Sequence, residues 1–407
     1  MIEQPVALRQ TRLSTTLAVL TFSRLLINAV RRFPYSILTP MSAALGVPRA
    51  TLEAALSALW AMGIFSPIAG VAIDRMGRKR IMLFGLGCLV TFTAVAAVAQ
   101  AAGIVALVLI AFVATGISKL CYDPAMQAYV GDRTPYERRG MAIGITELAW
   151  SGSLFIFGPL AAYLITQATL GAIFGVLAGG SLFAWLLIWR TLPNDDPPAP
   201  AQDAAERPHF LSTENLSANF RLVLASRPAL ALLGVAVLMS VAQESISIVY
   251  EAWLRDSFGL TTLVIGGLAF LFAVAEASGE GAVIALSDRV GKRRLLILAF
   301  VGCGVVFLAL PLLAGNADLA VALLFAMFVI FEIGVVTQIP LATEVLPQAR
   351  GIMLSSNVAA FSIGRAIGTL LGGWMFRSGG MIFNGVFAAL FSFLSVALIW
   401  RYVLEHE

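Results

Sequence analysis

Charged side chains lie inside long apolar runs of this chain at Arg24, Arg31, Arg32, Lys119, Asp123, Glu147, Glu244, Glu251, Glu276, Glu280, Glu332 and Arg365. A charge held in hydrocarbon costs about 3 kcal/mol on insertion scales, so each must find a partner or do chemistry. For a carboxylate that chemistry is proton carriage, because exclusion from water disfavours the charged form. Glu147 and Glu332 are the first choices for such a carrier, with Glu244 and Glu276 next. Lys119 and Asp123 are four residues apart on one helical face and are spaced to pair, as a structural bridge or as part of a binding site. Glu276 and Glu280 share that spacing but repel, which calls for a proton on one or a cation from another helix.

The signs differ along the chain. Arg24 and Lys119 stand against Asp123 and Glu147 in its first part, whereas Glu244, Glu276, Glu280 and Glu332 stand against Arg365 alone in its second. A cation or zwitterion suits the acidic side, with Arg24 or Lys119 meeting an anionic group. The alternative is an interhelical salt-bridge network among Arg24, Glu147, Arg365 and Glu332. Arg31, Arg32 and Glu251 fall near an interface, where long side chains snorkel to water, and are read as structural. Trp60, Trp150, Tyr122, Tyr250 and Trp253 line a cavity or, more commonly for such residues, pack at the lipid boundary.

The elements that position these groups follow from composition. Of 407 residues, 59% are hydrophobic and only 12% charged, with a mean hydropathy of +0.89. A soluble chain runs near a quarter charged, so the pattern is that of an integral membrane protein. Apolar runs predict twelve membrane-spanning helices at 13–38, 51–73, 80–101, 104–128, 140–166, 168–190, 228–254, 261–286, 294–315, 318–344, 351–376 and 380–402. Their length excludes the alternating strands of a β-barrel. The net charge of +4 implies no nucleic-acid partner. Cys88, Cys121 and Cys303 sit singly in apolar runs with no metal-ligand spacing, and both histidines, His209 and His406, lie outside the runs. Neither a metal nor a cofactor is expected, and no cleavable leader.

Basic residues fix the expected orientation. With the N-terminus inside, the cytoplasmic segments hold nineteen of the Lys and Arg residues, against Arg49, Arg255 and Arg377 outside. That bias places both termini in the cytoplasm, in the cytoplasmic membrane. Residues 191–227 begin Thr-Leu-Pro-Asn-Asp-Asp-Pro-Pro, a composition that packs no core. They read as a cytoplasmic linker between a bundle over 1–190 and a second over 228–407. Its part from Leu211 to Ser226 is either an amphipathic surface helix or plain linker.

A repeat supports that division. Asp74-Arg75-Met76-Gly77-Arg78-Lys79-Arg80 follows the second run, and Asp288-Arg289-Val290-Gly291-Lys292-Arg293-Arg294 follows the eighth, 214 positions on. Glu137-Arg138-Arg139-Gly140 is answered by Gln348-Ala349-Arg350-Gly351 at nearly the same offset. The fold class is thus an all-α membrane protein of two pseudo-symmetric six-helix bundles.

The stretch from Gly70 through Asp74, Arg75, Gly77 and Arg78 resembles the signature between helices 2 and 3 of the major facilitator superfamily, and twelve helices in two halves match that family over essentially the whole chain. The copy at Asp288, Arg289 and Gly291 departs from it at Ile284. Gly158-Pro159 resembles the core of the superfamily's antiporter motif, but Ala161 and Ala162 stand for its paired glycines. Phe112 stands where many proton-coupled drug exporters carry an arginine. The resemblance implies that spans three, six, nine and twelve are outer supports and that the others line a central path. The charges agree: those four spans have none in their apolar cores. It further implies a secondary transporter working by alternating access, not an enzyme. Proton-coupled efflux of an amphiphilic or cationic solute comes first; uptake symport, uniport and lysolipid flipping are the alternatives. Expected partners are a small-molecule substrate, protons and membrane lipids, with the protein acting as a monomer.

Asp74 would sit at the C-terminal end of its helix, where the dipole disfavours an anion unless a cation answers it. Arg133, Arg138, Arg139 or the helix beginning near Gly351 is placed to do so, as a cytoplasmic latch; otherwise the basic cluster only sets topology. Asp74→Asn is therefore expected to change turnover much more than membrane insertion, and unaltered transport would sink the latch.

Overall fold

The computed structural model describes residues 6–66, 76–134, 136–194, 221–346 and 350–403, and among these every regular element is helical. The first span is Val6–Arg32 followed by Pro34–Leu45. The break falls at Pro34, which lacks the N–H that would continue the ladder, and Ile37 leaves helical geometry one turn later. The expected end at 38 is thereby extended to Leu45, where Gly46 closes the helix. The second span is Arg49–Ala61 with a 3-10 turn, Met62–Phe65. Then come Arg78–Ala101; Val105–Ala114 with Gly116–Arg133; Tyr136–Glu147 with Ala149–Gln167; and Leu170–Thr191. The seventh span, Arg227–Ser247 with Tyr250–Phe258, breaks near its far end as the first does. Thr262–Val290, Lys292–Leu313 and Ala317–Val345 follow.

The last helix runs from Arg350 to Tyr402, 53 residues. At 1.5 Å per residue it would be about 80 Å long, far more than a bilayer, so it must double back. Gly380, at φ 64°, makes that turn and separates spans eleven and twelve. Ten helices among the described residues are long and apolar enough to cross a membrane. The doubled last helix and the second span, which runs into residues outside the described set, bring the crossings to twelve.

The repeat seen in the sequence has a backbone counterpart. Gly77 has φ 87° and ψ 151°, Gly291 φ 84° and ψ 139°, and each opens the next span. This region of backbone space is essentially reserved for glycine. The basic residues after each glycine do matching work. Arg78 reaches Asp132 at 2.6 Å at the end of span four, and Lys292 pairs with Glu344 at the end of span ten. Lys79 donates to the Trp189 carbonyl at 3.0 Å, and Arg293 to the Trp400 carbonyl at 3.1 Å. Each therefore caps the negative end of the last span of its half. Of the expected gate, Gly70, Asp74 and Arg75 lie outside the described residues, as does the side chain of Asp288. Arg289 is exposed. The linker over 195–220 also lies outside them.

By the order of the spans, the turns at Gly77 and Gly291 share one side of the molecule with the first and last described residues, called here the basic face; the other is the distal face. The charge-free spans occupy the periphery: six packs on three and twelve on nine. They turn Val98, Leu182, Phe183, Leu298, Val305 and Trp400 outward. The two halves meet along spans two and eleven and along spans five and eight. Gly291→Ala is expected to lower stability by about 1–3 kcal/mol through backbone strain, read as an earlier unfolding transition in detergent; an unchanged transition would show that the turn is not held in this geometry.

Candidate substrate site

The charges inside the membrane fall into two groups. Within the first half, Arg24 reaches Glu147 at 2.7 Å and Asp123 at 3.4 Å. Lys119 reaches Asp123 at 2.7 Å and the Asn28 side-chain oxygen at 2.6 Å. The expected pairing of Lys119 with Asp123 is thus present, and Arg24 completes a four-charge network in which both cations are engaged. Glu147, 43% exposed at its side chain, is the open end of that network.

The second group joins the halves. Arg32 holds Glu276 through both carboxylate oxygens, at 2.7 and 2.6 Å. Arg32 is a cation from another helix, one of the two answers to the Glu276–Glu280 repulsion, the other being a proton. The pairing corrects the reading of Arg31 and Arg32 as interfacial side chains that snorkel to water. Both are buried, because the break at Pro34 lets the span continue past them and keeps them in the interior. Adjacent residues point apart on a helix. Arg31 turns to the Gly116 carbonyl at 3.2 Å and the Trp60 ring, while Arg32 turns to the second half. Glu251 is likewise fully buried, within an ion cluster rather than at water.

Arg365 approaches Glu244 at 3.5 Å, not Glu332, so of the network read from sequence among Arg24, Glu147, Arg365 and Glu332 only the Arg24–Glu147 pair forms. Glu244 also accepts from the Tyr35 hydroxyl, whose oxygen in turn accepts the Trp60 indole N–H at 2.8 Å. Arg365 lies over both Trp60 and Trp150, at 4.8 and 5.1 Å from their ring centres, and Arg32 lies 4.3 Å from that of Trp150. Cations facing indole rings gain about 0.5–2 kcal/mol each. This pair of indoles therefore helps hold guanidinium groups away from water. Sequence reasoning favoured lipid-facing packing for these aromatics. Instead Trp60, Trp150 and Tyr250 line the interior, Tyr122 is buried with its hydroxyl donating to the Leu20 carbonyl, and Trp253 packs on Phe258.

Together these residues surround a narrow cavity between the halves, of about 20 Å³, room for about one water molecule. Arg32, Tyr35, Trp60, Trp150 and Leu154 come from the first half, and Gln243, Glu244, Tyr250, Glu276, Phe328, Phe331, Glu332 and Arg365 from the second. Its carboxylates are not equivalent. Glu244 and Glu276 are matched, whereas Glu332 is buried with no ion pair or hydrogen bond among the described residues. Gln243 adds a buried side-chain oxygen without a partner. The sequence singled out Glu332; it missed Tyr35 and Gln243, which stand in runs of ordinary composition with no spacing signal.

Toward the distal face the halves are bound tightly. Arg49 of the first half reaches Glu251 of the second at 2.8 Å and the Ile248 carbonyl at 2.6 Å. Arg377 reaches Glu53 at 2.6 Å, and Ser57 donates to the Ala366 carbonyl at 2.8 Å. Of the three cations that the charge bias placed outside, Arg49 and Arg377 serve as cross-ties, while Arg255 pairs with Glu251 within its own half. On the basic face, ion pairs among the described residues stay within a half.

Two six-helix halves around a charged cavity in mid-membrane define a multi-pass membrane transporter. A profile of the Major Facilitator Superfamily matches residues 20–347 and 232–407, and the chain belongs to that superfamily. It is 26% identical over 319 residues, 77% of each chain, to an uncharacterized MFS-type transporter, YceJ, of Bacillus subtilis. It is 24% identical over 291 residues to mouse solute carrier family 22 member 18, covering 70% of each, and 22% identical over 317 residues to multidrug resistance protein 2 of Bacillus subtilis, covering 77% and 76%. In fold it is similar to the inward open conformation of the xylose transporter XylE from E. coli, with a TM-score of 0.75, 16% identity and 97% of each chain covered.

Removing one partner of a buried pair strands the other charge. Arg32→Met is expected to destabilise the protein by about 3–5 kcal/mol, while Arg32→Met with Glu276→Leu recovers most of the loss. Unfolding of both variants in detergent checks this, and equal losses would show that the pair is not the tie between halves.

Proposed function

We propose that this protein is a secondary transporter of the cytoplasmic membrane that exports small cationic, amphiphilic solutes in exchange for protons by alternating access. The observation that carries the reading is Glu332: every other carboxylate lining the cavity is matched, and this one is not. A buried carboxylate without a protein cation is stable when it holds a proton or a ligand's cation, and these exclude each other. Competition for one group is the simplest way to couple two fluxes. The unpartnered Gln243 oxygen gives the wall a second acceptor, which suits a hydrogen-bond donor such as a protonated amine. Phe328, Phe331 and Tyr250 provide apolar surface for the rest of the solute once the halves part and widen the cavity.

The basic face is assigned to the cytoplasm by the positive-inside rule, with both termini there. The cross-ties at Arg49, Glu53, Glu251 and Arg377 then hold the outer side shut, in keeping with the inward open XylE structure that the fold matches. In this reading the chain works as a monomer of two bundles, 1–190 and 228–407, that rock about the cavity, with 191–227 as the link. Exchange, rather than uptake with a proton, is favoured by the partial Gly158-Pro159 antiporter motif, and the likeness to multidrug resistance protein 2 fits drug-like solutes.

Purified protein in liposomes, with an imposed pH gradient and a panel of amine solutes, tests the proposal. Glu332→Gln is expected to reduce gradient-driven accumulation at least tenfold while downhill exchange persists. Solute flux that ignores the gradient in the wild type would defeat proton exchange and favour facilitated diffusion.

A further inference from the structure

Spans one and four run antiparallel and meet in three successive rungs. Arg24 faces Asp123 at 3.4 Å, Asn28 faces Lys119 at 2.6 Å, and Arg31 faces the Gly116 carbonyl at 3.2 Å. The steps of four and then three residues are the same on both helices, so each set lies along one helical face. At the first rung the cation meets a carboxylate. At the third it meets only a backbone oxygen, and no acidic side chain fits there. A Cβ on Gly116 would lie 2.9 Å from the Met62 Cγ.

The charges of this corner do not balance. Arg24, Arg31 and Lys119 are three cations, and Asp123 and Glu147 are two carboxylates. Arg32 and Arg365 are no help, because Glu276 and Glu244 of the second half answer them. Arg31, only 3% exposed, has no ion pair among the described residues. Its Nε–H has no acceptor, and neither has the Nδ2 of Asn28, one turn earlier on the same face. The Asn28 oxygen takes the Lys119 ammonium, which turns the amide donor away from it. Trp60, 5.0 Å from the Arg31 guanidinium, answers only part of the buried charge.

We infer that the third rung is a seat for a chloride-sized monovalent anion, held by Arg31 Nε, Asn28 Nδ2 and the Lys119 ammonium. The deficit is one charge, which a monovalent ion cancels and a divalent one overshoots. All the free groups are N–H donors, as an anion requires and a cation forbids. Lys119, 21% exposed at its side chain and 5.6 Å from the Trp150 ring of the cavity wall, is the member of the cluster that water reaches. Arg31 and Lys119 close on the ion from opposite spans, so the ion ties span four to span one beside the break at Pro34. This site is separate from Glu332 and does not rest on the exchange reading.

The test uses the full chain in detergent at constant ionic strength, with chloride replaced stepwise by gluconate. The unfolding midpoint is expected to rise with chloride and then level off, as binding to the folded state alone requires. Dialysis against radioactive chloride is expected to saturate at about one ion per chain, with bromide competing. Asn28→Asp places the missing negative charge in the protein. It is expected to be as stable without chloride as the wild type is with it, and to weaken chloride binding at least tenfold. Arg31→Met removes the cation and is likewise expected to lose the response to chloride. A wild-type midpoint that ignores chloride, or a response that both variants keep in full, would overturn the site. Binding of acetate but not chloride would overturn the halide and assign the seat to a solute's carboxylate. If a variant fails to fold, dialysis of the wild type decides. Glu332→Gln is expected to bind chloride as the wild type does, whatever becomes of its transport.

Discussion

The cost of holding charge away from water organises this molecule. Arg32 and Glu276 are each untenable alone in the interior and stable together, and they come from opposite halves of the chain. Tyr35 with Glu244 repeats the arrangement one turn further along the first span. The groups that line the cavity are therefore also the groups that hold the halves together. On the proposed reading, that is how occupancy of the cavity is converted into movement. A proton or a ligand that alters one carboxylate alters a bond between halves, and packed interfaces respond by switching rather than by gradual deformation.

Duplication gave the two halves the same scaffold but not the same charges. The turns at Gly77 and Gly291 have nearly identical backbones, and the residues after them make corresponding bonds to spans four and six or ten and twelve. Inside the membrane the symmetry stops. The first half balances Arg24 and Lys119 internally against Asp123 and Glu147, whereas the second carries excess acid and receives Arg32 from its neighbour. After that donation one carboxylate of the cavity, Glu332, remains unmatched among the described residues. A scaffold built twice keeps its shape, and the imbalance between copies supplies the chemistry.

Small residues divide the seam between spans five and eight into closed and open parts. Gly158, Ala162, Gly266 and Ala269 let spans five and eight meet where the halves are also tied by ions, and bulkier Leu148, Phe155 and Val274 border the part that opens. Helices three, six, nine and twelve take no part in this. Their apolar cores meet lipid, where an unpaired charge would have no answer.

Sequence alone determined the number of crossings, the two-half plan and the helices that contain buried charge, because each follows from local hydropathy or from a repeated motif. It also named Glu332 together with Glu147, and it left a proton or a distant cation as the answer to the Glu276–Glu280 repulsion. It did not identify that cation. Arg32 looked interfacial because a count of apolar residues cannot reveal that the span breaks at Pro34 and continues to Leu45. Nor did it separate Arg365–Glu244 from Arg365–Glu332, or find Tyr35, Gln243 and the ties from Arg49 and Arg377. Those depend on which faces of helices more than a hundred residues apart come into contact. Hydropathy is a property of each segment, but pairing is a property of the space between segments, and only the tertiary structure decides who stands opposite whom.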